Sequence, residues 1–251
     1  MNLKQKLEEE IFPRISKPSR YLGNEVNVIH KDPAHVDIRL ALIFPDLYDL
    51  GLGNLGLHIL YARQRDLPWL ALERCYSPAL DMEEQLRQHD LPLFALESKD
   101  PLGEFDGLGF TLQSELTYTN ILNCIDLAGL PLRSVDRDGS HPLLFAGGPS
   151  AFNPEPLAPF LDFFLIGDGE EAIVDIATVM RQTKGSPRQV QLEALADIEG
   201  VYVPVLVPFE ELPDGRIVPV EGGPRVRRRI VKDLDLAPFP SEMILPFTQQ
   251  V

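Results

Sequence analysis

The sequence predicts an α/β fold: a doubly wound parallel sheet with helices on both faces, followed by a small β-rich appendage. Three observations predict it. Apolar runs of strand length alternate with amphipathic stretches of helix length from residue 36 to residue 184. The runs are almost continuously apolar, as in strands buried on both faces, and lack the alternation of a one-sided sheet. Past Lys184 the pattern changes to short β-rich runs separated by Pro-Asp-Gly and Gly-Gly-Pro turns.

The elements follow in order. Leu3, Leu7, Ile11 and Ile15 share one face of an opening helix that ends at the breaks marked by Pro13 and Pro18. An irregular segment, residues 18–27 (PSRYLGNEVN), precedes the first strand, residues 36–44 (VDIRLALIF), which stops at Pro45. Residues 51–64 then read as a helix whose Leu52, Leu55, Ile59 and Leu60 face a core. A second strand (69–75), a second helix (79–89), a short strand (91–96) and a fully buried strand (105–112) come next. A helix over 115–128 ends at Gly129, two short strands occupy 143–146 and 163–166, and a helix runs from Glu170 to about Gln182. Parallel neighbours need helical crossovers, so the natural solution is flavodoxin-like or Rossmann-like. The appendage is expected to contain strands at 201–208, 216–220 and 225–231, and the Pro-rich stretch 235–251 reads as a linker. The resulting division is 1–35 as lead-in, 36–184 as the α/β domain, 185–234 as appendage and 235–251 as linker.

Composition limits the function. A length of 251 residues suits one large domain or one with an appendage. The formal charge of −15 argues against partners bound through a basic surface, namely nucleic acid and anionic membrane. No apolar stretch approaches the roughly 20 residues of a membrane span, and the charged start (MNLKQKLEEEIFPRI) is unlike a secretion signal. A cytoplasmic home is expected. The two cysteines, Cys75 and Cys124, are too few and too far apart to hold an iron–sulfur cluster, and both read as core residues.

In parallel α/β sheets ligands sit beyond the carboxyl ends of the strands, where strand order reverses, so the loops after each strand carry the candidate site. The first offers Asp46-Leu47-Tyr48-Asp49-Leu50-Gly51, the loop after residues 105–112 offers Ser114-Glu115-Leu116, and the loop after 143–146 offers Gly147-Gly148. Each piece alone has a structural explanation. Asp46 suits a cap or turn, Ser-x-Leu is common, and paired glycines often follow a buried strand.

Together, in this order and spacing, they resemble the cobalamin-binding signature D-x-H-x-x-G, S-x-L, G-G, with Tyr48 standing where the cobalt-ligating histidine belongs. The resemblance implies cofactor contacts at Asp46, Tyr48, Gly51, Ser114, Leu116, Gly147 and Gly148. Ser114 would bond the buried base of the nucleotide tail, the glycines would let that tail approach the backbone, and Tyr48 would pack on the corrin face. A second stretch is more specific. Gly147-Gly148-Pro149, then Pro154-Glu155-Pro156, then Asp162-Phe163-Phe164-Leu165-Ile166-Gly167-Asp168-Gly169-Glu170-Glu171 resembles the end of the N-terminal domain in cobalamin-dependent radical SAM proteins. Pro18-Ser19-Arg20-Tyr21-Leu22-Gly23-Asn24-Glu25 and the loop 45–51 resemble one large, uncharacterised subgroup of them. That resemblance implies a radical SAM core domain as partner in a longer chain, with a C-x-x-x-C-x-x-C motif beyond Val251 that binds a [4Fe–4S] cluster and S-adenosylmethionine. Catalysis belongs to that core; within these residues no catalytic group and no metal ligand is assigned.

Two other readings stand beside it. One is a degenerate interaction module that caps the catalytic domain without a corrinoid, which Tyr48 in place of histidine favours. The other is a nucleotide- or flavin-binding enzyme. It is disfavoured because Gly167-Asp168-Gly169-Glu170-Glu171 lacks the third glycine near Ala172 and places acid at a helix start that pyrophosphate would need. The basic run 225–229 reads as a solvated strand edge. None of His30, His35, His58, His89 and His141 has metal-ligand spacing, and only His58 lies near the expected pocket.

Overall fold

A computed structural model describes residues 2–220, 225–233, 235 and 237–247. Its main sheet has six strands: β1 (Ile38–Phe44), β2 (Leu70–Tyr76), β3 (Gly107–Thr111), β4 (Leu143–Gly147), β5 (Phe163–Leu165) and β6 (Val201–Tyr202). The spatial order is β2-β1-β3-β4-β5-β6. The first five are parallel and β6 closes the edge antiparallel to β5, with Leu165 opposite Val201. Their order 2-1-3-4-5 is the flavodoxin-like one, with its reversal between β1 and β3. The doubly wound α/β class is therefore correct, in a mixed form.

The helices are α1 (Leu3–Lys6), α2 (Tyr48–Gly51), α3 (Leu55–Ala62), α4 (Leu80–Gln88), α5 (Tyr118–Leu127), α6 (Gly169–Thr183) and α7 (Arg188–Ala196). α3 and α6 touch each other, while α4 and α5 are joined by the Arg87–Asp126 pair, 2.8 Å. None is long and apolar enough to cross a membrane. Beyond the main sheet, β7 (Phe209–Glu211) and β8 (Ile217–Pro219) form an antiparallel hairpin around Pro213-Asp214-Gly215, with Gly215 at φ +81°.

Several elements differ from the expectations. The opening helix is α1 followed by a wider π turn (Leu7–Ile11) and a 3-10 turn (Phe12–Arg14). The expected face holds, with Leu7, Ile11 and Ile15 buried. Residues 91–96 make no strand: Pro92 offers no N–H, and only the isolated bridge Phe94–Pro101 forms. The helix expected over 51–64 is split into α2 and α3, the latter capped by the Asn54 side chain on the Leu57 N–H, 2.8 Å. Residues 188–196, placed in the β-rich appendage, are helical. Their Gln, Leu, Glu and Ala favour helix, and Leu192 and Leu195 bury one face. Only Val201 and Tyr202 of the run 201–208 are strand, and they belong to the main sheet.

Residues 225–231 are extended without forming a full strand. Arg229 donates its N–H to the Ile166 carbonyl and accepts from the Asp168 N–H, 2.9 and 3.1 Å. Glu242 to Leu245, within the expected linker, are tied back to the domain. Leu245 and Val26 exchange backbone hydrogen bonds, and Asn27 donates to the Met243 carbonyl. The Gly-Gly-Pro turn and the end of the linker lie outside the described residues.

Candidate functional site

The carboxyl edge is built differently on the two sides of the strand-order reversal. After β1, the Asp46 carboxylate accepts the Leu47 N–H at 2.7 Å and so acts as a turn former. Tyr48 then turns inward. Its ring packs edge-on against Tyr76, centroids 5.2 Å apart, and its hydroxyl donates to Glu25 Oε1 at 2.8 Å. Glu25 accepts from Arg74 at 2.8 Å, and Arg74 also donates to Glu97 at 2.7 Å, with all three side chains at most 5% exposed. Burial first, then the neighbouring Glu25 carboxylate, push the Tyr48 phenol far above its usual range, so it stays neutral. Burial works against ionisation of Glu25 too, but the Arg74 charge outweighs it and holds the carboxyl below its ordinary value. Gly51 packs tightly here: a Cβ on it would meet the Phe44 and Tyr76 rings at 2.6 Å.

The segment 18–25 finds its explanation in the same place. Arg20 and Lys17 pair with Asp49 at 2.5 and 2.9 Å. The Tyr21 hydroxyl accepts the Ala79 N–H at 3.0 Å, and Glu25 supplies the carboxylate for Tyr48 and Arg74. This stretch seals one flank of the edge.

The other flank is open. Between the sheet and helices α3 and α6 lies a cavity of about 610 Å³, reaching from Leu42 on β1 across β3 and β4 to Leu165 on β5. That is the volume of an ordinary small-molecule site. Its walls are apolar, with Phe145, Leu60, Ile173 and Ile176 among them, and Gly109, Gly147, Gly148, Gly167 and Gly169 bring backbone against the empty space. Gly148 has φ +122° and its Cβ would stand 2.8 Å from the Leu112 carbonyl oxygen, so the turn requires glycine. Gly147 is unconstrained, since a Cβ there meets Leu165 at an ordinary 3.6 Å. At the mouth Arg228 lies over the Phe152 ring, 5.5 Å to its centroid, and 3.7 Å from Asp168. Two polar atoms of lining residues, Thr111 Oγ1 and Glu170 Oε2, are buried without a protein partner.

Of the seven expected contacts, Gly147 and Gly148 line this cavity; Asp46, Tyr48, Gly51, Ser114 and Leu116 do not. Ser114 accepts the Leu116 N–H at 3.3 Å and caps the turn leading into α5, while the Leu116 side chain projects into solvent. His58 bonds the Leu52 carbonyl through Nε2 at 2.6 Å, and burial holds it below its usual pKa. Cys75 and Cys124 are buried free thiols, the latter pushed up to about 12 by burial. Among the described residues no three His, Cys, Asp or Glu side chains converge as metal ligands. Sequence reasoning missed Thr111, Glu170 and the α3 and α6 walls. The run Gly169-Glu170-x-x-Ile173-x-x-Ile176 carried the signal, as an apolar helix face beginning at a ligand-side loop.

The profile of a family described as "Radical SAM proteins, N-terminal" matches residues 56–204. The match includes the cavity strands β3 to β5 with Ser114, Leu116, Gly147 and Gly148; it begins after the loop of Asp46, Tyr48 and Gly51. An uncharacterized protein of Methanocaldococcus jannaschii is 25% identical over 167 residues, which are 65% of this chain and 28% of that protein. The chain thus spans under a third of the length of the curated relative it matches.

Proposed function

The chain belongs to the radical SAM N-terminal family, and from that premise we propose that it serves a radical SAM catalytic domain by holding a corrinoid at its carboxyl edge. The observation that supports this reading is the glycine-floored, apolar cavity at the strand-order reversal, whose volume lies in the range of small-molecule sites. Thr111 and Glu170 add polar side chains to an apolar wall. A bound corrinoid would contribute methyl-group transfer, and the catalytic domain would contribute the [4Fe–4S] cluster that cleaves S-adenosylmethionine.

The histidine position of the resembled signature is a separate matter. Tyr48 is neutral and engaged by Glu25, so the loop after β1 offers no donor to cobalt, and Gly147 and Gly148 are the expected contacts that fit. The engaged tyrosine is also the specific observation behind the second reading, a capping module without corrinoid. A nucleotide pyrophosphate or flavin phosphate, with two charges against the single phosphodiester charge of a cobalamin tail, would face Asp168, Glu170 and Glu171 at the start of α6, which opposes it more strongly.

Titration of the protein with hydroxocobalamin and with cobinamide, which lacks the nucleotide tail, tests the proposal by visible spectrum. Cobalamin is expected to be retained through gel filtration and to bind at least about tenfold more tightly than cobinamide. Ile173→Phe, which puts a ring into the cavity, is expected to lower cobalamin affinity about tenfold, or 1.4 kcal/mol, with an unchanged circular dichroism spectrum. Loss of all colour on the column would leave the capping reading.

A further inference from the structure

Each crossover that leaves the carboxyl ends of β1 to β4 exposes at least one large apolar side chain. Leu50 on α2 is 63% exposed, Leu80 at the start of α4 86%, Leu116 before α5 89%, and Phe152 after β4 56%. In the spatial order β2-β1-β3-β4 they form the row Leu80, Leu50, Leu116, Phe152. Four neighbouring strands at about 4.8 Å spacing make that row roughly 15 Å wide. The amino edge offers Leu132 and Val135 on a single loop. One exposed leucine needs no explanation, but one on each of four adjacent loops forms a patch, and patches mark contact surfaces.

Most carboxylates along this row are already satisfied within the chain, the exposed Glu115 beside Leu116 being the exception. Asp49 is paired with Lys17 and Arg20. Asp81 accepts the N–H and the hydroxyl of Ser16, both at 2.7 Å, and Asp46 accepts the Leu47 N–H. Covering the edge at Asp46, Asp49 and Asp81 therefore desolvates carboxylates that keep their partners, and interface cores are characteristically apolar and poor in unpaired charge. The cavity opens along the same edge, so whatever covers the row also approaches the mouth at Phe152 and Arg228.

We infer that the row Leu80, Leu50, Leu116 and Phe152 is the docking surface for the radical SAM catalytic domain, which would meet it with an apolar face. This rests on the reading of the chain as a module serving such a domain. Among possible occupants that domain is favoured by the family's position at the N-terminus of radical SAM proteins and by the relative, most of whose length lies outside the matched segment.

Photo-crosslinking of the full-length gene product tests it, with p-benzoylphenylalanine placed at Leu80, at Leu116 or, as control, at Val135. Mass spectrometry is expected to find crosslinks from Leu80 and Leu116 into the radical SAM domain of the same molecule and none from Val135. Leu80→Glu with Leu116→Glu, both at open surface, is expected to leave the fold intact by circular dichroism and to raise the rate of protease cleavage between domains at least fivefold. Crosslinks joining two copies through Leu80 and Leu116, crosslinks confined to this domain, or an unchanged cleavage rate would overturn the assignment. Corrinoid retention on the same samples separates the two ideas. Crosslinks without bound colour keep the docking surface and remove the corrinoid, and colour without crosslinks does the reverse.

Discussion

The two flanks of the carboxyl edge use polar groups in opposite ways. On the sealed flank Tyr48, Glu25, Arg74 and Glu97 are buried and bonded to one another. On the open flank Thr111 and Glu170 have buried polar atoms without partners, beside a cavity of about 610 Å³. A buried ion-pair network holds a fold together, whereas an apolar cavity with a few polar side chains on its wall suits a molecule the protein does not itself contain. The histidine position of the resembled signature falls on the first kind of flank and its paired glycines on the second. Tyr48 is therefore to be read as part of the scaffold.

The comparison breaks most visibly at Arg74. Arg74→Met strands two buried carboxylates, Glu25 and Glu97, and is expected to destabilise the fold by about 3–5 kcal/mol, read from urea unfolding. A loss under 1 kcal/mol would mean that the network is solvated and the sealed flank is not sealed.

A pH titration of stability probes the same flank through Lys99. Its ammonium is buried and donates to the Leu22 and Leu96 carbonyls. Burial pulls its pKa down to about 8 from an ordinary 10.5, against the attraction of Glu97 and Glu25. From pH 8 upward the unfolded chain keeps a proton on Lys99 that the folded chain has lost, so the contribution of Lys99 to stability rises with pH. The buried thiols of Cys75 and Cys124 and the buried phenols of Tyr48, Tyr61 and Tyr76 hold their protons more tightly when folded, which opposes that rise from about pH 9 for the thiols and about pH 10 for the phenols. Lys99→Met removes the lysine contribution, so its unfolding free energy relative to the unsubstituted protein is expected to fall by on the order of 2 kcal/mol between pH 8 and 10.

Tyr48→Phe is the smaller and sharper change. It removes one donor from Glu25 and is expected to cost about 1–3 kcal/mol of stability. Affinity for cobalamin should stay within twofold of the unsubstituted protein, because the ring lies off the cavity. A large loss of affinity at unchanged stability would return Tyr48 to the ligand.

Much of the fold was legible because buried parallel strands leave continuous apolar runs, as in residues 36–44 and 143–146. β2 was legible despite Glu73 and Arg74 in its middle, but their purpose was not. A charged pair inside a strand reads as exposure until the partner is known, and Glu25 and Glu97 lie 49 and 23 residues from Arg74. The helix 188–196 was missed because its short apolar face is interrupted by Gln and Glu and follows a Gly-Ser-Pro turn. At the site, Gly147 and Gly148 were visible as residues after a buried strand. Thr111 and Glu170 were not, since a lone threonine at a strand end and an acid at a helix start have ordinary explanations.

The two glycines after β4 carry different histories. Gly148 is held by its positive φ and by the Leu112 carbonyl, so the turn itself selects it whether or not anything is bound. Gly147 meets no such demand from the protein. Among descendants that kept a ligand, position 147 should stay glycine; in lineages that lost it, alanine or serine should accumulate there while Gly148 persists. Drift at one position beside constancy at the next would thus serve as a fossil record of occupancy, readable in related genomes without purifying any of the proteins.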